Sequence, residues 1–287
     1  MSRSIVAVIP AYRPAPEAFS HLVDALHLDG LAVVVSDDAS PSTADAILRD
    51  AAARGATVIR HRHNAGIARG LNDGLRRARE LGATWLLTVD QDSELPHGYV
   101  DALLAAAETA VETVGQDRIG AVAAGLISDS SGDLGYPVTM GCGLSTTEEV
   151  IQTGTLWSVT GLAAIGGFDE SFGIDAVDAA ACVRLRASGR IIVLAPDVTI
   201  EHHLGDGRQV RILGRAVLAS GHGSERRTTI VRNRLRLAPE EFRQSPTHAF
   251  RTLRRVTVNT VLAVTVEEDR WAKAKASARG LLPRRDR

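Results

Sequence analysis

The segment TWLLTVDQDSELP, residues 84–96, decides the fold and points to the first functional hypothesis. Its apolar run Thr84–Val89 is typical of a buried strand, and Asp90 and Asp92 follow directly. A strand that ends in two aspartates two positions apart places both carboxylates at its exposed end. There they can bind a hard divalent cation through oxygen ligands and leave positions for phosphates. An Asp-x-Asp tripeptide also occurs by chance in many loops, so the strand before it carries the argument.

Strands and helices alternate on both sides of this segment. The predicted strands are Ile5–Ile9, Leu31–Ser36, Ala56–Arg60, Thr84–Val89 and Ile119–Leu126. The predicted helices between them are Glu17–Leu28, a helix from Ser42 or Thr43 to Arg54, Gly66–Leu81 and Tyr99–Val114. This alternation predicts an α/β fold with a doubly wound, mostly parallel sheet and helices on both faces.

The regular alternation of predicted strands and helices ends after residue 126. We expect a loop over Ser128–Pro137, a strand over Gln152–Val159, a helix over Asp175–Ser188, and short strands at Ile191–Leu194 and Val198–His202. From about residue 208 the sequence predicts mostly helix, including Thr247–Val266 and Asp269–Leu282. The economical prediction is one compact domain with a helical C-terminal extension.

Polar clusters follow three of the predicted strands, after Ile9, Ser36 and Val89. Ligands bind at the carboxyl ends of the strands in such sheets, so these clusters predict a ligand site. In the second cluster, Asp37 and Asp38 can accept hydrogen bonds from a base or ribose. A helix N-cap and turn is the equally weighted alternative for this cluster.

A third polar motif, NAGIARGLNDG, spans residues 64–74. Asn64 and Gly66 mark a tight turn, and Asn72 follows in the first turns of the predicted helix. Small residues here let a ligand approach the helix N-terminus, which favours phosphates. A purely structural turn before a helix explains the same residues.

Composition excludes several classes of protein. The chain has 287 residues, 45% of them hydrophobic and 23% charged, which argues against disorder, collagen and disulfide scaffolds. Cys142 and Cys182 lack metal-site or redox spacing and fit a reducing compartment. The N-terminal apolar run stops at Pro10, too early for a signal peptide or a membrane span. We therefore expect a cytoplasmic protein.

Charge is distributed unevenly along the chain. Residues 1–206 carry 14 basic and 27 acidic side chains, a net charge of −13. Residues 207–287 carry 19 and 7, a net charge of +12. A basic C-terminal part suggests a polyanion or membrane surface as its partner, with a solvated helical surface as the alternative.

Several motifs in this order and spacing resemble the family-2 glycosyltransferases of the GT-A fold. They are IPAYRP at 9–14, VVVSDDAS at 33–40, NAGIARGLNDGLRRA at 64–78 and LLTVDQDS at 86–93. GGFDESFGIDAVDAAACVRLRASG at 166–189 looks like the acceptor-side segment of that family. HHLGD at 202–206 and RRTTIVRNRLRL at 226–237 are similar to its rhamnosyltransferase branch. The resemblance covers roughly residues 4–240.

The resemblance implies roles for individual residues. Pro10 and Tyr12 would lie beside the nucleotide, Asp37 and Asp38 near the base and ribose, and Asn64, Gly66 and Asn72 around the donor pocket. Asp90 and Asp92 would bind the diphosphate of the donor through Mg²⁺ or Mn²⁺, with Asp92 the more direct ligand and His202 completing the metal shell. Asp178 aligns with the catalytic aspartate, and Arg226 and Arg227, or Arg232, would add positive charge at the diphosphate.

The sequence departs from the family pattern near the catalytic position. Ala180 stands where a second acidic residue is usual, and Gly173 and Ala176 replace frequent aromatics. Asp175 lies about one helical turn before Asp178 and is the candidate to compensate. For both aspartates, a favourable interaction with the helix dipole is the structural alternative.

Two features outside these motifs complete the candidate set. Trp157 is a candidate for stacking on a sugar, although a lone tryptophan is more often a core residue. In the C-terminal part, Phe250, Leu253 and Val256 with neighbouring arginines predict a basic amphipathic surface, for peripheral contact with the inner face of the plasma membrane. A homodimer interface or plain helical packing explains this surface at least as well.

Together these features predict an inverting, metal-dependent glycosyltransferase. The expected donor is dTDP-rhamnose, and the expected acceptor is a cell-surface polysaccharide or a lipid-linked saccharide, with no nucleic-acid partner. The expected division is a glycosyltransferase domain over residues 1–240, with halves of about 1–128 and 129–240, and a basic helical extension over 241–287. The alternatives are a galactofuranosyl or other hexosyl transferase, and a non-catalytic sugar-nucleotide-binding relative.

Overall fold

The computed structural model describes residues 5–129, 132–201, 208–212, 215–219, 223–266 and 269–282. The chain divides into two compact units. The first, called here the α/β unit, contains Met1–Gly173 and Val177–His202. The second, called the helical unit, contains Ile174–Ala176 and His203–Arg287. The boundary predicted at about residue 240 falls inside a helix of the second unit, and the division into donor and acceptor halves stays a prediction.

Ten of the described strands form one sheet in the α/β unit. They are β1 (Ile5–Ala11), β2 (Ala32–Asp37), β3 (Thr57–Arg60), β4 (Trp85–Thr88), β5 (Ile119–Asp129), β6 (Gly132–Gly135), β7 (Thr139–Gly141), β8 (Leu144–Thr147), β9 (Thr155–Ser158) and β10 (Ile191–Glu201). Their order is β3-β2-β1-β4-β9-β5-β10-β8-β7, with β6 paired to β5. The first four strands pair in parallel, as predicted, and β9 joins β4 to β5 in the antiparallel direction.

Helices cover both faces of this sheet. They are α1 (Pro16–Leu28), α2 (Asp45–Ala53), α3 (Ile67–Glu80), α4 (Tyr99–Val114), α5 (Val159–Ala164) and α6 (Val177–Ala187). Neighbouring side chains of a strand point to opposite faces. Ile9 packs in the same core cluster as Phe19 of α1, whereas a Cβ on Gly74 of α3 would lie 2.3 Å from Cβ of Val8. The glycine therefore lets α3 pack directly on the other face of β1.

The second half of the α/β unit contains more strand than the sequence predicted. The expected loop over Ser128–Pro137 is wrong in part, because β5 extends to Asp129 and β6 pairs with it. Strands β7 and β8 were not predicted. The two short strands expected between Ile191 and His202 are one strand, β10. Strand β6 pairs with the preceding β5, β7 pairs with the following β8, and β8 also pairs with the distant β10. These strands depend on their pairing in the sheet rather than on an apolar run of their own.

The helical unit begins with two strands that the sequence analysis missed. They are β11 (Arg208–Ile212) and β12 (Arg215–Ala219), which pair in the antiparallel direction. The helices that follow are α7 (Ser224–Gln244), α8 (Pro246–Thr265) and α9 (Arg270–Gly280), and the last two confirm the prediction. Thr228 of α7 donates a hydrogen bond to the carbonyl of Ala276 in α9, with a distance of 3.0 Å. No described helix has the length and apolar composition needed to cross a membrane.

Candidate functional site

The three predicted polar clusters meet at one edge of the sheet. Strand β1 lies between β2 and β4, with Ala11 paired to Asp37 and Val8 paired to Thr88. Because all three strands run in parallel, their carboxyl ends lie side by side. The structure therefore brings the segments after Ile9, Ser36 and Val89 together, as the sequence predicted.

Asp90 and Asp92 emerge from the end of β4. Asp90 is half-buried, its backbone N–H donates to Oγ1 of Thr153 at 2.9 Å, and its carboxylate accepts a hydrogen bond from the amide of Gln152. Asp92 is exposed, and none of the described residues donates a hydrogen bond to its carboxylate. One carboxylate is thus held in place while its neighbour stays accessible.

These two carboxylates suit a divalent cation. Carboxylate oxygens are the ligands that Mg²⁺ and Mn²⁺ prefer, and an exposed carboxylate beside a fixed one can close on an ion without breaking an internal bond. His202, the third predicted ligand, lies outside the described residues. The site residues present therefore fit a hard metal ion, with Asp92 as the more accessible ligand.

Gln91, between the two aspartates, fastens this loop to the end of β1. Its Oε1 accepts from the backbone N–H of Tyr12 at 2.8 Å, and its Nε2 donates to the Tyr12 carbonyl at 3.1 Å. The ring of Tyr12 is 42% exposed, and the Arg13 guanidinium lies 5.0 Å from its centroid. Pro10 is partly buried at the same strand end. Tyr12 thus presents an aromatic surface beside the two aspartates, and nucleotide contact by Pro10 and Tyr12 stays a prediction.

Asp37 and Asp38 have different surroundings. The Asp37 side chain is fully buried and accepts hydrogen bonds from Arg60 Nε at 3.1 Å and from the backbone N–H of Ser40. Asp38 accepts from the backbone N–H groups of Ala65 at 2.7 Å and of Gly66 at 2.9 Å. Asp37 therefore stabilises the turn after β2. Asp38, 14% exposed, fixes the segment before α3 and is the better placed of the two to meet a ligand.

The segment before α3 approaches the chain near residue 173 closely. Gly66 has φ of 89° and ψ of 165°, a conformation that side-chain-bearing residues rarely adopt. A Cβ at this position would lie 2.8 Å from the carbonyl oxygen of Gly173. Asn64 is exposed, with Nδ2 at 3.5 Å from the Asp38 carbonyl. The glycine is thus required both by the backbone conformation and by the contact.

Asn72 joins α3 to the segment that precedes the predicted catalytic helix. Its Nδ2 donates to the Phe168 carbonyl at 2.9 Å, and its Oδ1 accepts from the Phe168 N–H at 2.8 Å. The same Nδ2 lies 2.9 Å from Oε1 of Glu170. Because the amide is engaged on both sides, Asn72 can shape the donor pocket through this segment rather than by direct hydrogen bonding to a ligand.

Asp178, the predicted catalytic base, lies in the first turn of α6 and is partly exposed. The N–H of Ala179 donates to its Oδ1 at 2.8 Å. Tyr136, whose hydroxyl accepts from the N–H of Ile151 at 3.1 Å, lies within its electrostatic reach. Burial raises the pKa of Tyr136, and the Asp178 charge adds to the shift. Tyr136 is therefore protonated at neutral pH.

Asp175 precedes α6 and belongs to the helical unit, so it is not one helical turn before Asp178 on the same helix as expected. Its Oδ1 accepts from Nε of Arg226 at 3.1 Å, and its Oδ2 is buried without a hydrogen-bond partner in the described part of the chain. Burial raises the pKa of the Asp175 carboxyl, whereas the charges of Arg226 and Arg234 oppose that shift. Arg226 is thus paired with Asp175, and its predicted contact with a diphosphate would have to compete with this pair.

Two predicted ligand-binding residues are core residues. The Trp157 side chain is fully buried in β9, donates from Nε1 to Thr88 at 2.9 Å and packs edge-on against Phe168 at 5.4 Å. Its ring is therefore not exposed for stacking on a sugar. Arg227 is 2% exposed, and its Nη2 donates to the Asn259 carbonyl at 2.8 Å. It holds α7 to α8 and is not exposed to a diphosphate.

Sequence reasoning missed the residues that position the site. Gln91, Gln152 and Thr153 hold the loop that contains Asp90 and Asp92. His61 contacts both Asp38 and Asp73. Gln91 lies inside the quoted motif and could have been singled out by its place between the aspartates. The others come from segments whose proximity depends on strand pairing, so no local signal identifies them.

The chain is similar to known proteins in sequence and in fold. Residues 6–124 match the family described as glycosyl transferase family 2. The chain is 28% identical over 248 residues to dTDP-rhamnosyl transferase RfbF of Shigella flexneri, covering 81% of this chain and 79% of that protein.

Two solved structures share the fold. The mannosyltransferase PcManGT from Pyrobaculum calidifontis, in complex with GDP-Man and Mn²⁺, has a TM-score of 0.55 at 17% identity, covering 96% of this chain and 73% of that one. S. aureus TarS 1–349 has a TM-score of 0.58 at 13% identity, covering 95% and 78%. At these identities the likeness to both structures shows the fold.

Proposed function

We propose that the chain, whose residues 6–124 match glycosyl transferase family 2, is an inverting, metal-dependent rhamnosyltransferase on a GT-A fold. The observation that carries the proposal is the pair Asp90 and Asp92 at the end of β4, beside the strand ends that hold Tyr12 and Asp38. A nucleoside diphosphate needs this combination of a cation site and polar contacts for the nucleoside.

The proposed donor is dTDP-rhamnose. Its support is the similarity to dTDP-rhamnosyl transferase RfbF over most of both chains. Donor choice depends on a few pocket contacts worth about 1–3 kcal/mol each, so a galactofuranosyl or other hexosyl donor is the alternative that an experiment must separate. The proposed acceptor is a saccharide or lipid-linked saccharide of a cell-surface polysaccharide or glycolipid.

In the proposed reaction, the acceptor hydroxyl oxygen attacks the anomeric carbon while the bond from that carbon to the diphosphate oxygen breaks. The attack comes from the face opposite the leaving group, so the configuration inverts. Asp178 accepts the hydroxyl proton, a role that typically contributes about 10²- to 10⁴-fold. Its partly exposed position in the first turn of α6 supports this role. Tyr136, protonated and within electrostatic reach, adds no competing charge.

Asp90 and Asp92 would hold Mg²⁺ or Mn²⁺ at the diphosphate. The bound ion supplies Lewis-acid neutralisation of the charge that develops on the departing nucleoside diphosphate. The protein's own contribution is positional, since Gln91 and Gln152 fix the loop and leave the Asp92 carboxylate accessible.

We further propose that α8 binds an anionic membrane surface. Its exposed side combines Phe250, 66% exposed, and Val261, 52% exposed, with the exposed Arg251 and Arg254. Apolar side chains beside arginines on one helix face complement an anionic lipid headgroup layer. Trp271, 83% exposed, lies on the next helix and adds an aromatic side chain of the kind found at membrane interfaces. A second copy of this chain is the competing occupant of this face.

The function is tested by measuring transfer from dTDP-rhamnose, UDP-galactofuranose and UDP-glucose to alkyl glycosides in the presence of Mn²⁺. We expect turnover with dTDP-rhamnose and a product of inverted anomeric configuration. Asp178→Asn should lower kcat by about 10²- to 10⁴-fold with donor affinity retained, whereas Asp197→Asn, an exposed carboxylate on β10, serves as the matched control.

Two results would contradict the proposal. Turnover retained in Asp178→Asn removes that residue from the base role. Failure of all three nucleotide sugars to bind in calorimetry, with either Mg²⁺ or Mn²⁺, rejects the enzyme assignment and favours a protein that has lost this chemistry.

A further inference from the structure

His61 lies between two carboxylates at the end of β3. Its Nε2 is 2.7 Å from Oδ2 of Asp73, and its Nδ1 is 3.5 Å from Oδ1 of Asp38. The imidazole is only 12% exposed, and the His61 backbone N–H donates to the Asp37 carbonyl at 2.9 Å. Both ring nitrogens therefore face a carboxylate inside the α/β unit.

Asp73 anchors one side of this arrangement. Its side chain is 2% exposed on α3, where it accepts hydrogen bonds from Ser36 Oγ at 2.7 Å and from Arg76 Nη2 at 2.8 Å. Burial opposes ionisation of this carboxyl. The hydrogen bonds from Ser36, His61 and Arg76 outweigh burial and hold the pKa of Asp73 below its usual value. Nε2 of His61 thus contacts a buried carboxylate that is held in its ionised form.

Asp38 is the other side, and it reaches the proposed donor site. Its two carboxylate oxygens accept the backbone N–H groups of Ala65 and Gly66, immediately before α3. A continuous chain of contacts therefore runs from buried Asp73 through His61 and Asp38 to the segment at residues 64–66. A shift of the Asp38 carboxylate moves this segment, because two hydrogen bonds connect them.

We propose that His61 is a positioning residue for nucleotide binding, which fixes the Asp38 carboxylate against buried Asp73. The inference rests on the proposed function, because it takes the nucleoside of the donor to bind beside Asp38. None of the motifs quoted from the sequence includes His61, and its role depends on the pairing of β2 with β3.

The two ring nitrogens of His61 hold this arrangement at separate points. The described charged groups that face the imidazole are Asp38 and Asp73, with Arg76 acting through Asp73. Nε2 contacts the buried carboxylate of Asp73, and Nδ1 contacts the carboxylate of Asp38. A substitution that keeps one of these two contacts and removes the other therefore tests which of them matters for donor binding.

Two substitutions separate positioning from stability. In His61→Gln the side-chain amide can reach the Nε2 position and Asp73 but not Asp38. In His61→Asn it can reach the Nδ1 position and Asp38 but not Asp73. Positioning predicts that His61→Gln binds dTDP less tightly than His61→Asn, whereas a purely structural role predicts the reverse, because the Asn variant loses the buried contact. His63→Gln, exposed on the same segment, is the matched control.

The measurement is dTDP binding by calorimetry with Mn²⁺ on the full chain at neutral pH. Thermal unfolding of each variant accompanies it. We expect His61→Gln to weaken binding by about 3- to 10-fold, the size of one lost hydrogen bond. His61→Asn and His63→Gln should both bind dTDP more tightly than His61→Gln.

If His61→Gln binds dTDP as tightly as His61→Asn, or if the affinities follow the unfolding temperatures of the two His61 variants, the positioning role is wrong. If one variant fails to fold, the comparison of the other with the wild type and with His63→Gln decides. Absence of dTDP binding by the wild type is a different result, since it rejects the proposed function itself.

Discussion

The α/β unit and the helical unit use polar side chains in opposite ways. In the α/β unit, Asp38 and Gln91 at the strand ends and Asn72 on α3 each hold a backbone segment through two hydrogen bonds. In the helical unit, α8 presents exposed arginines beside exposed apolar side chains. Net charge follows the same division, with −13 up to residue 206 and +12 after it. The difference is between polar side chains that fix backbone segments and charged side chains that face the solvent.

The sharpest test of this difference removes the accessible carboxylate of the α/β unit. Asp92→Ala should lower turnover by at least about 100-fold, because charge neutralisation by a metal ion is worth several kcal/mol. Its measurement is dTDP binding and turnover with Mn²⁺, and then with EDTA. In EDTA the wild type should fall to the level of the variant. An Asp92→Ala protein whose Mn²⁺-dependent dTDP affinity is unchanged would move the metal site elsewhere.

The next effect concerns the close approach of two segments within the α/β unit. Gly66→Ala should destabilise the fold by about 2–4 kcal/mol, because it combines an unfavourable φ with overpacking against the Gly173 carbonyl. Gly82→Ala provides the control, since Gly82 has φ of 64° with no atom within 4 Å of the added Cβ. Chemical denaturation compares the two variants, and the excess loss in Gly66→Ala reports the contact together with the more restricted backbone conformation of Gly66. Equal losses in the two variants would show that the approach to Gly173 is not tight.

The smallest effect is expected on the surface of the helical unit. Arg251→Gln with Arg254→Gln should weaken sedimentation with phosphatidylglycerol vesicles, by about 1 kcal/mol per arginine near an anionic surface. Arg79→Gln with Arg118→Gln, exposed on the α/β unit, is the matched control. Trp271 offers a second readout, because Trp85 and Trp157 are buried and the emission change on vesicle binding should come from Trp271.

Two outcomes would contradict the proposed binding of α8 to an anionic membrane. If the wild type does not sediment with anionic vesicles, the attachment proposal fails. If light scattering shows a dimer that dissociates when Phe250→Glu is introduced, the exposed face of α8 is an interface between two copies of this chain.

The first half of the fold was predictable because each element there carries its own signal. Apolar runs such as Ile5–Ile9 indicate buried strands from the local sequence alone. A helix between two such strands brings the chain back across the sheet, so that the second strand runs parallel to the first. Strands β6 to β8 carry no such signal, since Gly132–Gly135 acquires strand structure by pairing with β5. Their stability is a property of the sheet, so the local sequence does not reveal it.

Prediction of the candidate site from the sequence also succeeded for some side chains and not for others. Asp90, Asp92 and Asp38 were predictable because a polar residue after a buried strand has to lie at the sheet edge. Trp157 and Arg227 are buried, which residue type alone does not reveal, and their contact with a ligand stays a prediction. His61 belongs to none of the quoted motifs, and its contacts come from α3 and from the residue that follows β2.

The two hydrogen bonds between the Asn72 amide and the backbone of Phe168 have a mechanical consequence. Residues 168–170 can separate from α3 only if both bonds break, together with the contact to Glu170. Because α3 begins at the segment held by Asp38, displacing that segment and displacing residues 168–170 both act on the same helix.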